Sequence, residues 1–151
     1  MKAEIKQTAP FVSAEEEVSL NLLRTAARLE HAVAEGLKPF GLTPTQYNAL
    51  RILRGAGDAG LCRNEVGARM LAPVPDATRL LDRLEAAGLI SRLRGGDDRR
   101  FVTARITRAG IDLLAELDAP VERMHERLYG HMPKADLRRL AGLLEDARER
   151  M

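Results

Sequence analysis

Between residues 89 and 106 the hydropathy pattern changes period, and that change narrows the fold more than any other feature of the chain. Residues 89–94 alternate as a strand does, and residues 101–106 form a second run rich in β-branched side chains. Gly95-Gly96-Asp97-Asp98 between them is turn material. The long patterned stretches elsewhere repeat at three- and four-residue spacing, as amphipathic helices do. One hairpin set among helices points to a mainly α fold with a small β component. Composition agrees: aromatics are 3% and Trp is absent, so the core is expected to pack through Leu and Ala rather than as a β-sandwich.

The helices can be placed from their ends. Ser13 followed by Glu15, Glu16 and Glu17 reads as an N-cap with an acidic first turn. Val18, Leu22, Ala26, Leu29, Val33 and Leu37 carry that helix to about Lys38, where Pro39 and Gly41 break it. Thr43 caps a second helix with Pro44 at its first position and Tyr47, Leu50, Ile52 and Leu53 on its apolar face. Leu61-Cys62-Arg63 suits only a β-bridge or a helix entry. A short helix is expected over 64–71, with Val66 and Met70 inward, and another over 75–87 after the interruption at Pro73 and Pro75. Gly88 ends the latter, with Ala77, Leu80, Leu81 and Leu84 on its core side. Thr107 caps a long helix to about Leu128 that contains Pro120, and 133–150 is a last helix with Leu137, Leu140, Leu143 and Leu144 on one face.

Two short helices around a tight turn, followed by a Gly-tipped hairpin, make a winged helix-turn-helix. In such a motif the second helix enters the major groove of B-DNA N-terminus first, so its early outer face must be polar. Asp76, Thr78, Arg79 and Arg83 meet that need, and the hairpin carries Arg94, Arg99 and Arg100 toward the backbone or the narrow minor groove. The charge distribution points the same way. Residues 61–110 hold ten Arg against six acidic residues, whereas the remainder holds 14 basic and 16 acidic residues.

Several short motifs occur in a telling order: Leu42-Thr43-Pro44-Thr45-Gln46, Asn64-Glu65-Val66, Thr78-Arg79-Leu80-Leu81-Asp82-Arg83-Leu84-Glu85, Ala87-Gly88-Leu89-Ile90, Asp98-Arg99-Arg100 and Ile106-Thr107-Arg108-Ala109-Gly110. In order and spacing, over roughly residues 20–145, the sequence resembles the MarR family of bacterial regulators. The resemblance implies a two-fold homodimer held by N- and C-terminal helices, a recognition helix at 75–87, and double-stranded DNA with a pseudo-palindromic operator as partner. It also implies that Arg100 enters the minor groove with Asp98 orienting it. Family members commonly repress genes and leave DNA when a small aromatic or phenolic effector binds between the dimerisation and DNA-binding parts. On that pattern the DNA-binding set is Asn64, Pro75, Asp76, Thr78, Arg79, Arg83, Arg94, Asp98, Arg99 and Arg100, and the effector pocket draws on Leu29, Tyr47 and Leu113. The chain is then one unit: an arm and dimerisation helix over 1–38, a winged helix-turn-helix over 42–107, and dimerisation helices over 108–151. Two departures stand out. Pro73-Val74-Pro75 replaces the usual Ser or Thr before the recognition helix, which removes a side-chain cap, and Ala104 replaces a larger apolar residue in the wing.

Other chemistries find little support. No Ser-His-Asp arrangement, phosphate loop or HExxH is present, so neither an enzyme nor a cofactor is expected. His31, His125 and His131 are scattered, and Cys62 alone makes neither a disulfide nor a zinc site. A single cysteine, no apolar stretch able to span a membrane and no signal-peptide core in residues 1–13 are consistent with a cytoplasmic protein without a membrane partner. The alternative is a winged-helix interaction module without specific DNA binding, which would carry an apolar patch where this chain carries arginines.

Overall fold

The computed structural model describes residue 4, residues 6–94 and residues 102–149, the side chain of Arg94 excepted. Helix α1 (Ala14–Leu37) begins where Ser13 accepts the Glu16 N–H, and its three acidic residues lie in the first turn, where the helix dipole favours them. Helix α2 (Pro44–Ala56) opens with a full capping box. The Thr43 hydroxyl accepts the Gln46 N–H at 3.2 Å, and the Gln46 side chain accepts the Thr43 N–H at 2.9 Å. Strand β1 (Leu61–Cys62) leads directly into α3 (Arg63–Arg69), and α4 (Ala77–Ala86) follows the turn containing the two prolines. Strands β2 (Ile90–Arg94) and β3 (Val102–Ile106) pair antiparallel from Ile90↔Ile106 to Arg94↔Val102. Helix α5 (Arg108–Tyr129) runs unbroken through Pro120, and α6 (Lys134–Arg148) ends the described chain.

Leu61-Cys62, open between bridge and helix entry on sequence, is both. It pairs with β3 at Leu61↔Ala104 and Cys62↔Thr103, which gives a three-stranded sheet of order β1-β3-β2, and Cys62 is the N-cap of α3. The small Ala104 is fully enclosed at that crossing.

The start of α4 differs from the expected 75–87. Pro75 lies in the turn, and the helix begins at Ala77 with Asp76 as its N-cap, the carboxylate accepting the Arg79 N–H at 2.9 Å. The side-chain cap expected to be lost is therefore supplied one residue after the prolines. At its other end α4 closes in a Schellman motif. Leu89 N–H donates to Leu84 O, Gly88 N–H donates to Glu85 O, and Gly88 has a left-handed φ of +71°.

One core unites these elements. Leu37, Leu50, Leu53, Val66, Leu84, Ile90, Leu114 and Leu117 are fully enclosed and come from α1, α2, α3, α4, β2 and α5. Helix α6 contributes no buried residue, and its Leu140 and Leu143 stand in solvent with Val18 and Leu23 of α1. The base of the wing is fused to α5. Thr107 donates its N–H to Leu89 O and its hydroxyl to Gly88 O, and the same hydroxyl accepts the Gly110 N–H.

Candidate nucleic-acid interface

The turn between α3 and α4 sets the two helices side by side, so their N-termini share one surface. Asn64 in the first turn of α3 and Asp76, Thr78, Arg79 and Arg83 along α4 are all exposed there. Pro75 is exposed beside them in the turn. Arg79 and Arg83, four residues apart, lie on the same outer flank of α4. Asp76 has a local task, since its carboxylate is committed to the helix N-terminus. The backbone of Arg94 ends β2. Asp98, Arg99 and Arg100 lie outside the described residues.

Two arginines absent from the expected set hold this surface together. Arg92 of β2 reaches back to α4, donating to the Asp82 carboxylate and placing its Nε 2.9 Å from Glu85 Oε2. Asp82 first, then Glu85, raises the already high pKa of this guanidinium. The pairing spends the charge of Arg92 inside the protein. It also offsets half of the negative charge of Asp82 and Glu85, which would otherwise oppose a polyanion beside Arg79 and Arg83. Arg63, the first residue of α3, spans to α4: it donates to Thr78 Oγ1 at 3.3 Å and to Asn64 Oδ1 from both Nε and Nη2. Neither set of contacts has a sequence signal, because pairing between different elements leaves no periodic trace.

At the N-cap of α3 the Glu65 carboxylate accepts the Cys62 N–H at 2.7 Å, and this backbone bond holds the carboxyl below its usual value. Cys62 is half-buried. Among the described residues no group of three or more His, Cys, Asp or Glu side chains converges to hold a metal ion.

A second feature lies behind the helix-turn-helix. A cavity of about 710 Å³ opens between α1, α2 and the C-terminal half of α5. Leu29 and Tyr47 line it; Leu113 does not, and instead packs against the main core. The apolar walls include Val33, Phe40 and Met124, while Arg51, Arg123 and Arg127, with Glu126 among them, give the lining a net positive charge. Arg51 lies 5.8 Å from the centre of the Tyr47 ring, a cation–π distance. The cavity also meets the helix-turn-helix: Asn48 and Leu71 both line it, and the Asn48 side chain accepts the Leu71 N–H at 3.0 Å.

The family model of the MarR family matches residues 40–100, the span from the start of α2 to the wing. The multiple antibiotic resistance protein MarR of Salmonella typhimurium is 30% identical over 112 residues, covering 72% of this chain and 75% of that protein. A crystal structure of a MarR transcription factor from Planctomyces limnophilus is 38% identical, with a TM-score of 0.70 over 90% of this chain and 98% of the other. The structure of CouR from Rhodococcus jostii bound to p-coumaroyl-CoA is 25% identical, with a TM-score of 0.75 over 91% and 95% of the two chains. The helix-turn-helix, the wing strands fused to α5 and these similarities establish that the chain belongs to the MarR family of DNA-binding, winged-helix transcriptional regulators.

Proposed function

We propose that this regulator is a homodimeric repressor that reads a pseudo-palindromic operator and leaves it when a small molecule fills the cavity behind its helix-turn-helix. The observation that carries the DNA-reading part is the gathering of Asn64, Thr78, Arg79 and Arg83 on one exposed face whose acidic neighbours, Asp82 and Glu85, are paired off by Arg92. In this reading α4 lies in the major groove, where Arg79 meets a guanine edge or a phosphate and Thr78 a phosphate or a thymine methyl. Arg94, Arg99 and Arg100 of the wing meet the backbone or minor groove, and Asp98 orients Arg100. Two such units about 34 Å apart, one turn of B-DNA, would engage the two half-sites. The solvent-facing leucines of α6 and the exposed Val18 and Leu23 of α1 support the dimer, because one chain leaves them uncovered.

For the effector, the apolar walls and the arginines at the lining of the cavity suit a small aromatic molecule with an anionic or phenolic group. CouR, bound to p-coumaroyl-CoA, is a relative of this fold holding an aromatic ligand. A cytoplasmic location goes with this role, and no helix among the described residues is long and apolar enough to cross a membrane.

Fluorescence-anisotropy titration against the DNA upstream of the protein's own gene, with a scrambled competitor and at two salt concentrations, tests the reading. Specific, salt-sensitive binding of one dimer per site is the expected result. A folded dimer that selects no sequence from a random duplex pool would leave the interaction-module alternative in its place.

A further inference from the structure

Arg63 opens α3 at the centre of the proposed DNA-reading face, and the chemistry of its contacts fixes more than its own position. A guanidinium only donates hydrogen bonds. Whatever faces it must accept, so the Asn64 amide is compelled to turn its oxygen toward Arg63, where both Nε and Nη2 meet it at 3.4 and 3.3 Å. The NH₂ of Asn64 is thereby directed away from Arg63, and the amide loses the choice of presenting its oxygen outward. Thr78 Oγ1 likewise accepts from Arg63 Nη1 at 3.3 Å, which leaves the hydroxyl proton free to donate elsewhere. Three of the five N–H groups of Arg63 are committed to these two side chains, and the other two have no partner among the described residues. Nor does Arg63 form an ion pair among the described residues, in contrast to Arg92. The recess it borders, between α3, α4 and the sheet, is lined by Leu81, Val102 and Ala104 as well as Arg92, and no carboxylate lines it among the described residues.

We propose that Arg63 is a specificity-determining residue of the DNA-reading surface, converting Arg63 and Asn64 into a single donor-only set beside the Thr78 hydroxyl. This inference rests on the DNA-reading function above. Such a set is complementary to a base that offers adjacent acceptors and no donor. In the major groove that base is guanine, with N7 and O6. Adenine also offers N7, but its N6 amino group donates, and reading it bidentately needs an Asn that presents both its oxygen and its NH₂. Arg63 denies Asn64 that option. Each half-site is therefore expected to contain a guanine opposite the adjoining N-termini of α3 and α4, and that preference depends on Arg63 rather than on Asn64 alone.

The experiment is selection of bound duplexes from a randomised pool by the full-length protein and by Arg63→Met and Arg63→Lys. Anisotropy titrations on the selected wild-type site, with each position varied in turn, follow. Wild type is expected to select a fixed guanine. Arg63→Met is expected to lose on the order of tenfold discrimination of guanine over adenine at that position and at no other. It is also expected to reduce the salt slope by about one, because one charge near the DNA is removed. Arg63→Lys keeps the charge but not the fork, so the salt slope is expected to persist while the guanine preference falls. Equal melting temperatures and equal sedimentation separate these effects from loss of the fold, and Arg63→Lys carries the test if Arg63→Met unfolds. A selected motif without that guanine, or one unchanged in the folded Arg63 variant, overturns the assignment while leaving the DNA-reading function intact. A wild-type protein that selects no motif removes that function and this assignment with it.

Discussion

Gly110 sits where α5 leaves the sheet, and a Cβ built there would stand 2.4 Å from the Leu89 carbonyl oxygen and 2.7 Å from Ile106 Cγ1. Alanine favours a helix interior over glycine by about 1 kcal/mol, but a clash with fixed backbone outweighs that gain. Gly110→Ala is therefore expected to lower the unfolding free energy by about 1–3 kcal/mol in urea titration, with the loss centred on the root of the wing. The glycine is visible in the sequence as part of a motif; its reason, the close approach of the Leu89 carbonyl to the start of α5, is not. Asp76 teaches the same lesson in reverse. Proline's preference for a first helical position favoured Pro75, yet the carboxylate one residue later accepts an N–H that no proline ring can satisfy, and the helix starts after it. Asp76→Ala is expected to destabilise by about 1 kcal/mol and to weaken DNA binding through fraying of α4's first turn, read by thermal melting and anisotropy together. Glu65 adds a pH dependence. Its folded pKa is depressed, so the capping contact stabilises α3 at neutral pH and is lost as pH falls through the folded value. The stability gap between wild type and Glu65→Ala is expected to be open at pH 7 and to shrink below the usual glutamate value of about 4.3, as denaturant titrations across pH would show.

At the scale of elements, long helices announced themselves by period and by their caps at Ser13, Thr43 and Thr107, all three of which accept an N–H as expected. Strand β1 did not, because two residues are too few to show alternation and only their pairing with β3 defines them. Contacts between elements were also invisible. Arg54 of α2 grips Asp118 of α5 through three hydrogen bonds of 3.1 to 3.2 Å. Both side chains are partly open to solvent, which limits their coupling to about 0.5–1 kcal/mol in a double-mutant cycle with Arg54→Ala and Asp118→Ala. An amphipathic stripe does not say which of two neighbours each residue will meet, and Leu113 of α5 packs on the core while Val121 and Met124 line the cavity.

For the whole molecule, α6 is the element whose apolar face has least to cover it. Leu143 is 56% exposed and Leu140 is 40% exposed, so each leaves a large part of its apolar surface uncovered by its own chain. In the proposed dimer Leu143→Glu is expected to give a monomer by sedimentation with unchanged far-UV circular dichroism, and to lower operator affinity because each half-site would then bind alone. A dimer that survives this change would place the two-fold contact elsewhere. The order of the helices and the hairpin could be read from sequence, as could the residues of α4 that face outward. The network that makes them one surface could not, since it is built by Arg63 and Arg92 across the fold.

The fusion of the wing base to α5 has a mechanical consequence. Gly88, Leu89, Thr107 and Gly110 form one joint, so the end of α4, both wing strands and the start of α5 have no pivot between them. Helix α5 is 22 residues long, about 33 Å at the usual rise, with the joint at one end and the cavity along the other half. In the proposed repressor it would act as a lever arm, a tilt imposed by something lodged against Val121 or Met124 passing along it toward α4. In the proposed dimer the gap between the two copies of α4 would be geared to the filling of a space at the opposite end of the rod.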